Sequence, residues 1–264
     1  MIDLSSKLLA IFIISLATQI CLFGQTVDSL NNLSKDFLNK GNFKEALPHL
    51  EKAAKLGHFE AQYNLGYLYQ IGQPVEQNDS IAHHWFLKSA YQGFIDAQFK
   101  VAYNLGTGRG VSLDKSQSIN WLRKCAKQGD EECLFQLAGF FKEGWGIEQN
   151  ADSVFYWAKK LAIKINPEDL NRSGFITSMR LTLAQMYQEG DLFQQDFQKS
   201  YMWYLIYNES KIDFSVLQQQ SVIAEIKKVE TNLTDIQRDL ARVKAEEILG
   251  RLLFNLENLK QPDY

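Results

Sequence analysis

The sequence predicts an all-α solenoid, a stack of antiparallel helix pairs closed by longer helices at its C-terminal end. Three observations carry this. First, Trp85, Trp121 and Trp157 recur at a step of 36 residues, as do Gly57, Gly93 and Gly129, and Ala54, Ala90, Ala126 and Ala162. A fixed step of this length marks stacked units that cannot each bury their apolar face alone. Second, apolar residues inside each step fall at helical spacing, as in Ala61, Leu65, Leu68 and Tyr69. Third, the position opening each Trp-bearing helix is Asn78, Asp114, Asn150 or Asp196. All four side chains can accept a hydrogen bond from a free backbone N–H of the first turn.

The elements follow in chain order. Lys7 precedes the apolar run Leu8–Ile14, which continues with a few polar residues to Leu22-Phe23-Gly24. A positive charge, an apolar stretch and a small residue form the layout of a secretory leader, here residues 1–24 with cleavage between Gly24 and Gln25. The alternative is an uncleaved anchor, but Leu8–Phe23 is shorter than the roughly 20 residues that span a bilayer. Cys21 suggests an acylated lipoprotein, against which β-branched Ile20 stands where a small residue is needed.

The solenoid is expected over 27–209. Its first pair, Leu30–Lys40 and Phe43–Leu56, turns at Gly41-Asn42, and Pro48 should kink the second helix. The next helix covers Ala61–Tyr69 and stops at Gly72, where glycine tolerates the left-handed C-cap conformation. The helix opened by Asn78 carries Ile81, Ala82, Trp85 and Ala90 as its buried stripe and ends at Gly93. Two further pairs repeat this. Gly66, Ala102, Ala138 and Ala184 recur where two helices need close approach.

A fourth copy arrives 46 residues on, from Trp157 to Trp203 and Asn150 to Asp196. The ten extra residues, around Asn166–Phe175, read as a longer turn. Beyond Ser210 the step is lost, and residues 210–264 are expected to cap the stack with helices Phe214–Val229 and Asp235–Leu259. Thr234 and Gln237 form a capping box between them. A coiled-coil dimer is the competing reading of this tail.

The segment Lys52-Ala53-Ala54-Lys55-Leu56-Gly57, leading into Ala61-Gln62-Tyr63-Asn64-Leu65-Gly66, the Gly-x-Gly-Val type turn and the Trp-bearing helix resembles the Sel-one-like repeat, a relative of the tetratricopeptide repeat. The resemblance covers about Phe43 to Tyr207. In the first unit His49 takes the Trp position. The resemblance implies a right-handed superhelix serving as an adaptor or scaffold. It also implies that the first helix of each pair lines a concave face, toward which Tyr63, Tyr67, Gln70, Phe99, Tyr103, Phe135, Lys142, Gln185 and Gln188 would point. Aromatics there offer large contact area at low entropic cost, or else pack between successive helices. Asn64 stands where related repeats clamp a peptide backbone, but Lys100, Gln136 and Thr182 do not keep it.

Cys125 and Cys133 remain after the leader, an even number in an oxidising compartment. The cysteine-rich branch of the resembled family bridges neighbouring helices at this separation, with cysteines one residue later. The pair is therefore either a disulfide or two small buried residues standing where Ala53 and Ala61 stand in the first unit.

No catalytic set emerges. Ser112-Leu113-Asp114-Lys115 matches the Ser-x-x-Lys of penicillin-binding enzymes, but the Ser-Asp-Asn and Lys-Thr-Gly partners are absent and Asp114 is the repeat's cap. Gly106–Gly110 lacks the spacing of a phosphate loop. Glu131 and Glu132 open a helix, where they favour its dipole. His83 and His84 diverge as neighbours on a helix, so no metal or cofactor is expected.

Twenty-eight basic and 31 acidic side chains leave a net charge of −3, which gives no electrostatic reason to bind nucleic acid. The expected protein is a monomeric, exported, periplasmic or secreted scaffold for a protein or peptide, touching membrane only through its leader. The alternatives are a cell-wall or β-lactam-interacting protein and a lumenal secretory-pathway adaptor. Asn-x-Ser/Thr sites at Asn32, Asn78, Asn171, Asn208 and Asn232 would permit glycosylation, but the C-terminus is no retention signal.

Overall fold

The structure, a computed structural model, describes residues 4–164, 170–209 and 216–260. They form twelve α-helices and one short 3-10 helix, with no strand among the described residues. The helices are α1 (Leu4–Asn39), α2 (Phe43–Lys55), α3 (Phe59–Ile71), α4 (Asp79–Tyr91), α5 (Ile95–Thr107), α6 (Lys115–Lys127), α7 (Glu131–Glu143), α8 (Ala151–Ala162), α9 (Leu170–Glu189), α10 (Phe197–Asn208), α11 (Val216–Glu230) and α12 (Asp235–Leu249). The chain divides into two compact units, Met1–Trp121 and Leu122–Tyr264.

The four expected N-caps all form. Asn78 accepts from the Ile81 N–H at 2.9 Å, Asp114 from Gln117 at 2.9 Å, Asn150 from Ser153 at 2.7 Å and Asp196 from Lys199 at 2.9 Å. The box at Thr234 and Gln237 also closes in both directions.

In the first unit α1 to α5 pack consecutively. Val27 is the first core residue among the described side chains and joins Leu50, Ala61, Leu65 and Leu68. The stripe of α4 differs from expectation: Phe86, Ala82 and Ala90 are buried, Trp85 is half-buried and Ile81 is exposed. Gly66 explains the turn of the helix, because a Cβ there would lie 2.9 Å from two Phe86 ring carbons. The bare backbone of α3 admits the ring. The Gly108–Gly110 turn docks on the start of α4, where Arg109 Nε donates to Asp79 Oδ1 at 2.9 Å.

Three further boundaries shift. α1 is a single helix from Leu4, so the expected cleavage point Gly24-Gln25 lies inside it. α2 runs unbroken past Pro48. In the second unit the described part of the ten-residue insertion lengthens a helix, since α9 starts at Leu170; the rest of the expected turn, residues 166–169, lies outside the described residues. α12 ends at Gly250, whose φ of +66° is the left-handed stop, and a 3-10 helix over Asn255–Lys260 replaces the expected last turns.

α10 is buried on every side from Ser200 to Asn208, the mark of a helix surrounded by protein. It packs on α9, α11 and α12. Tyr201 donates to Glu230 at 3.0 Å and Tyr204 to Gln188 at 2.7 Å. Glu209 accepts from Arg251 and from the Phe254 and Asn255 N–H groups at 2.7–3.0 Å, tying the tail to the end of α10.

A periodic hydrogen bond joins successive pairs. The last carbonyls of a helix lack their usual i+4 donor. The turn N–H groups of Gly57, Gly93 and Gly129 donate to Ala54, Ala90 and Ala126, and the next pair adds a side-chain donor to the same carbonyls. Gln62 Nε2 donates to Ala54 O at 3.1 Å, Gln98 Nε2 to Ala90 O at 3.3 Å and Arg180 Nε to Ala162 O at 2.7 Å. These donors occupy the same repeat position, where the third unit has Leu134. There Lys160 Nζ reaches Ala126 O at 3.5 Å instead.

Two outcomes are expected. Gln62→Leu removes the second donor of the Ala54 carbonyl, which keeps the Gly57 N–H, and the Gln62 oxygen that the Gln92 amide meets at 2.8 Å. It should lower stability by about 1 kcal/mol in denaturant melts, with helicity retained. The second concerns acid. Burial pushes the Glu60 carboxyl up, but hydrogen bonds from Lys35 (2.6 Å) and Asn31 (2.8 Å) and the Lys35 charge outweigh it, so the group sits below its ordinary value. A carboxyl depressed on folding adds stability above its unfolded pKa and loses it as pH falls through the folded one. Amides of α1 beyond Val27 should thus lose exchange protection below about pH 4, and Glu60→Gln should flatten that dependence.

Candidate functional site

The first helices of the pairs present the nine residues expected on an inner face, and the structure separates them into packed and exposed groups. In the first unit Tyr63 is built into the packing. Its ring lies 5.5 Å from Phe86 and 5.2 Å from Phe94, which in turn meets Phe59 at 5.3 Å. Burial, with the nearby Asp96 and Tyr67, pushes its hydroxyl up to about 12. Gln70 is buried and Phe99 half-buried. Tyr67 and Tyr103 are 43% and 49% exposed. They stand at the same position of α3 and α5, one repeat apart.

In the second unit Phe135 packs on Phe175 at 5.3 Å. Gln188 is occupied on both sides, donating to Glu225 at 2.8 Å and accepting from Tyr204. Lys142 is half-buried, its Nζ 3.8 Å from the Asp191 carboxylate. Gln185 alone of this group is exposed. Tyr63, Gln70 and Gln188 are therefore engaged in the packing, while Phe135 packs on Phe175 and stays half-buried. Helical spacing assigns a residue to a face, whereas the next helix decides whether that face stays open.

Sequence reasoning missed one feature here. Gly139 holds the position of Tyr67 and Tyr103, and nothing lies within 4 Å of where its Cβ would be. A cleft of about 270 Å³ opens beside it, lined by Phe135, Phe140, Val154, Met179 and Thr182 with Lys142 and Glu143. The broken tyrosine series at Gly139 was the available signal.

Ser112 is exposed and lies ahead of α6, which starts at Lys115, so the serine does not open a helix. Asp114 is held below its ordinary carboxyl range by the hydrogen bonds from Gln117. His83 is buried and His84 exposed, so they do diverge. Burial and His84 pull His83 down, and its Nδ1 faces Asn104 Nδ2 at 3.4 Å.

Cys125 and Cys133 are fully buried with Cα atoms 6.0 Å apart and their sulfurs in contact. That span lies within the range a disulfide bridges. Among the described residues the only three metal-ligating donors that come together are these two sulfurs and Asp130. The Asp130 carboxylate caps α7 by accepting from the Cys133 N–H at 2.9 Å.

Comparison with known proteins fits this architecture. A crystal structure of a Sel1 repeat protein from Oxalobacter formigenes matches with a TM-score of 0.61 and 21% identity, over 87% of this chain and 88% of that one. Cysteine-rich protein B of Helicobacter pylori matches over 45% of this chain and 92% of its own, with 18% identity and a TM-score of 0.38. No curated protein matches the sequence. The Sel1 repeat model matches residues 27–58, 59–94, 95–130, 131–164 and 183–206, and the chain belongs to the Sel1 repeat family.

Proposed function

We propose that the protein is an exported, non-catalytic scaffold that holds a protein or peptide partner against the first helices of its repeats. Sel1 repeats generally mediate protein–protein interaction. The observation that carries the finer reading is the exposure of Tyr67 and Tyr103 at equivalent positions while Tyr63 is packed. Two tyrosines held on rigid helices one repeat apart give a partner two regularly spaced aromatic contacts. Export is supported by the leader layout of residues 1–24, which hold none of the described core residues; among the described side chains the core begins at Val27. Among the described residues, no helix is long and apolar enough to cross a membrane.

A photo-crosslinking residue at position 67 or 103 should trap one partner in cells, while the same residue at exposed Tyr156 on α8 should not. Tyr67→Ala/Tyr103→Ala should weaken that complex about tenfold or more at unchanged helicity. Equal adducts at all three positions would refute this surface.

In the exported protein we place a disulfide between Cys125 and Cys133. Mature protein should begin at Gln25 and show no free thiol on denaturation without reductant. Cys125→Ala/Cys133→Ala should cost about 2–3 kcal/mol, and reductant should destabilise only the parent.

A further inference from the structure

The last long helix is turned the wrong way round for a simple cap. Ala241 and Ala245 are its buried residues where it packs on α10. Three of its five large apolar side chains face solvent instead: Ile236, Leu240 and Val243 are 74%, 55% and 50% exposed, while Ile248 and Leu249 near its end are half-buried. The spacing of the exposed three, four and then three residues, puts them on one stripe, three successive d, a and d positions of a two-helix coiled coil, with the exposed Glu247 at the a position that follows. α12 therefore has two faces, a small one for its own chain and a large one with nothing on it among the described residues.

The charges beside the stripe indicate what covers it. With Leu240 at a and Ile236 and Val243 at d, Asp239 takes g and Lys244 takes e. In a parallel pair, g of one helix meets the e residue five positions later on the other, which sets Asp239 against Lys244 of the second copy, twice by symmetry. In an antiparallel pair like flanks meet, and Asp239 would face another acidic flank. Asp239 is exposed, and Lys244 is engaged only in an exposed i,i+3 pair with Glu247 that a new partner can displace. We propose that the protein dimerises through α12, pairing parallel and in register with α12 of a second copy. This departs from the monomer expected from sequence, and it does not depend on the partner surface on the first helices.

Sedimentation equilibrium of the full chain tests it. The parent should be a dimer. Leu240→Asp should weaken association about tenfold or more. Asp239→Lys should weaken it less, and Asp239→Lys/Lys244→Asp should restore it. All the altered residues are exposed, so circular dichroism should be unchanged; if Leu240→Asp loses helicity, the charge exchange still decides. A parent that stays monomeric at about 100 µM overturns the proposal and leaves the stripe to a different chain. A dimer insensitive to Leu240→Asp, or one that Asp239→Lys strengthens, overturns it too.

Discussion

The hydrogen bonds from one helix pair to the last carbonyls of the pair before it are the constraint on which the stack depends. A carbonyl oxygen has two lone pairs; at Ala54 and Ala90 the turn glycine N–H fills one, and the other faces the next pair. Gln62, Gln98 and Arg180 donate to these helix-end carbonyls from the same position. Each such bond runs from one pair to the one before it, so the contact that satisfies the backbone also fixes the spacing between pairs. Gln92 and Lys164 extend the pattern, reaching back to the carbonyls of Gly57 and Gly129. Apolar burial drives the stacking, while these polar contacts set its register.

Ends are where such a stack fails, and the chain treats its two ends differently. At the N-terminal side α1 packs on α2. Lys35 and Asn31 hold it through Glu60, and His58, which caps α3 with Nδ1, lies with Nε2 3.4 Å from Asp28. At the C-terminal side, within the second unit, α10 is enclosed by α11, α12 and the tail. Asn208 and Asn255 exchange hydrogen bonds at 2.9 and 3.0 Å across that closure. Enclosure satisfies α10, but it passes the open apolar face outward to α12. A solenoid can move its last hydrophobic surface from one helix to another, and only a partner removes it.

What the sequence made legible follows from which forces are local. The 36-residue step, the four caps and the box at Thr234 depend on residues within one turn of each other, and all appear as expected. Within the insertion after α8, the described residues Asn171, Ser173 and Gly174 carry turn chemistry yet continue α9. The end of α12 is the opposite case: the amphipathic spacing runs on past Gly250, whose left-handed conformation stops the helix. The surface residues were the least legible. Tyr63 and Tyr67 are one turn apart on α3, and only Phe86 and Phe94, brought in by tertiary packing, decide that the first is filler and the second is exposed.

The third repeat shows how one position can change its chemistry without losing its duty. Leu134 stands where its neighbours have Gln98 and Arg180 and cannot donate to Ala126 O. Three changes accompany it. Lys160 crosses from α8 to that carbonyl, Lys164 takes both Gly129 O and Glu131, and Cys125 at the end of α6 lies with its sulfur against that of Cys133 at the start of α7. A tie made elsewhere by one amide or guanidinium is made here by two ammonium groups. α7 also carries Gly139 where α3 and α5 have Tyr67 and Tyr103, and the cleft opens beside it. The third repeat thus departs from its neighbours at two positions of one helix, the donor to the preceding pair and the exposed tyrosine. In the first of them the function passes to Lys160 of α8 and to Lys164 just after that helix.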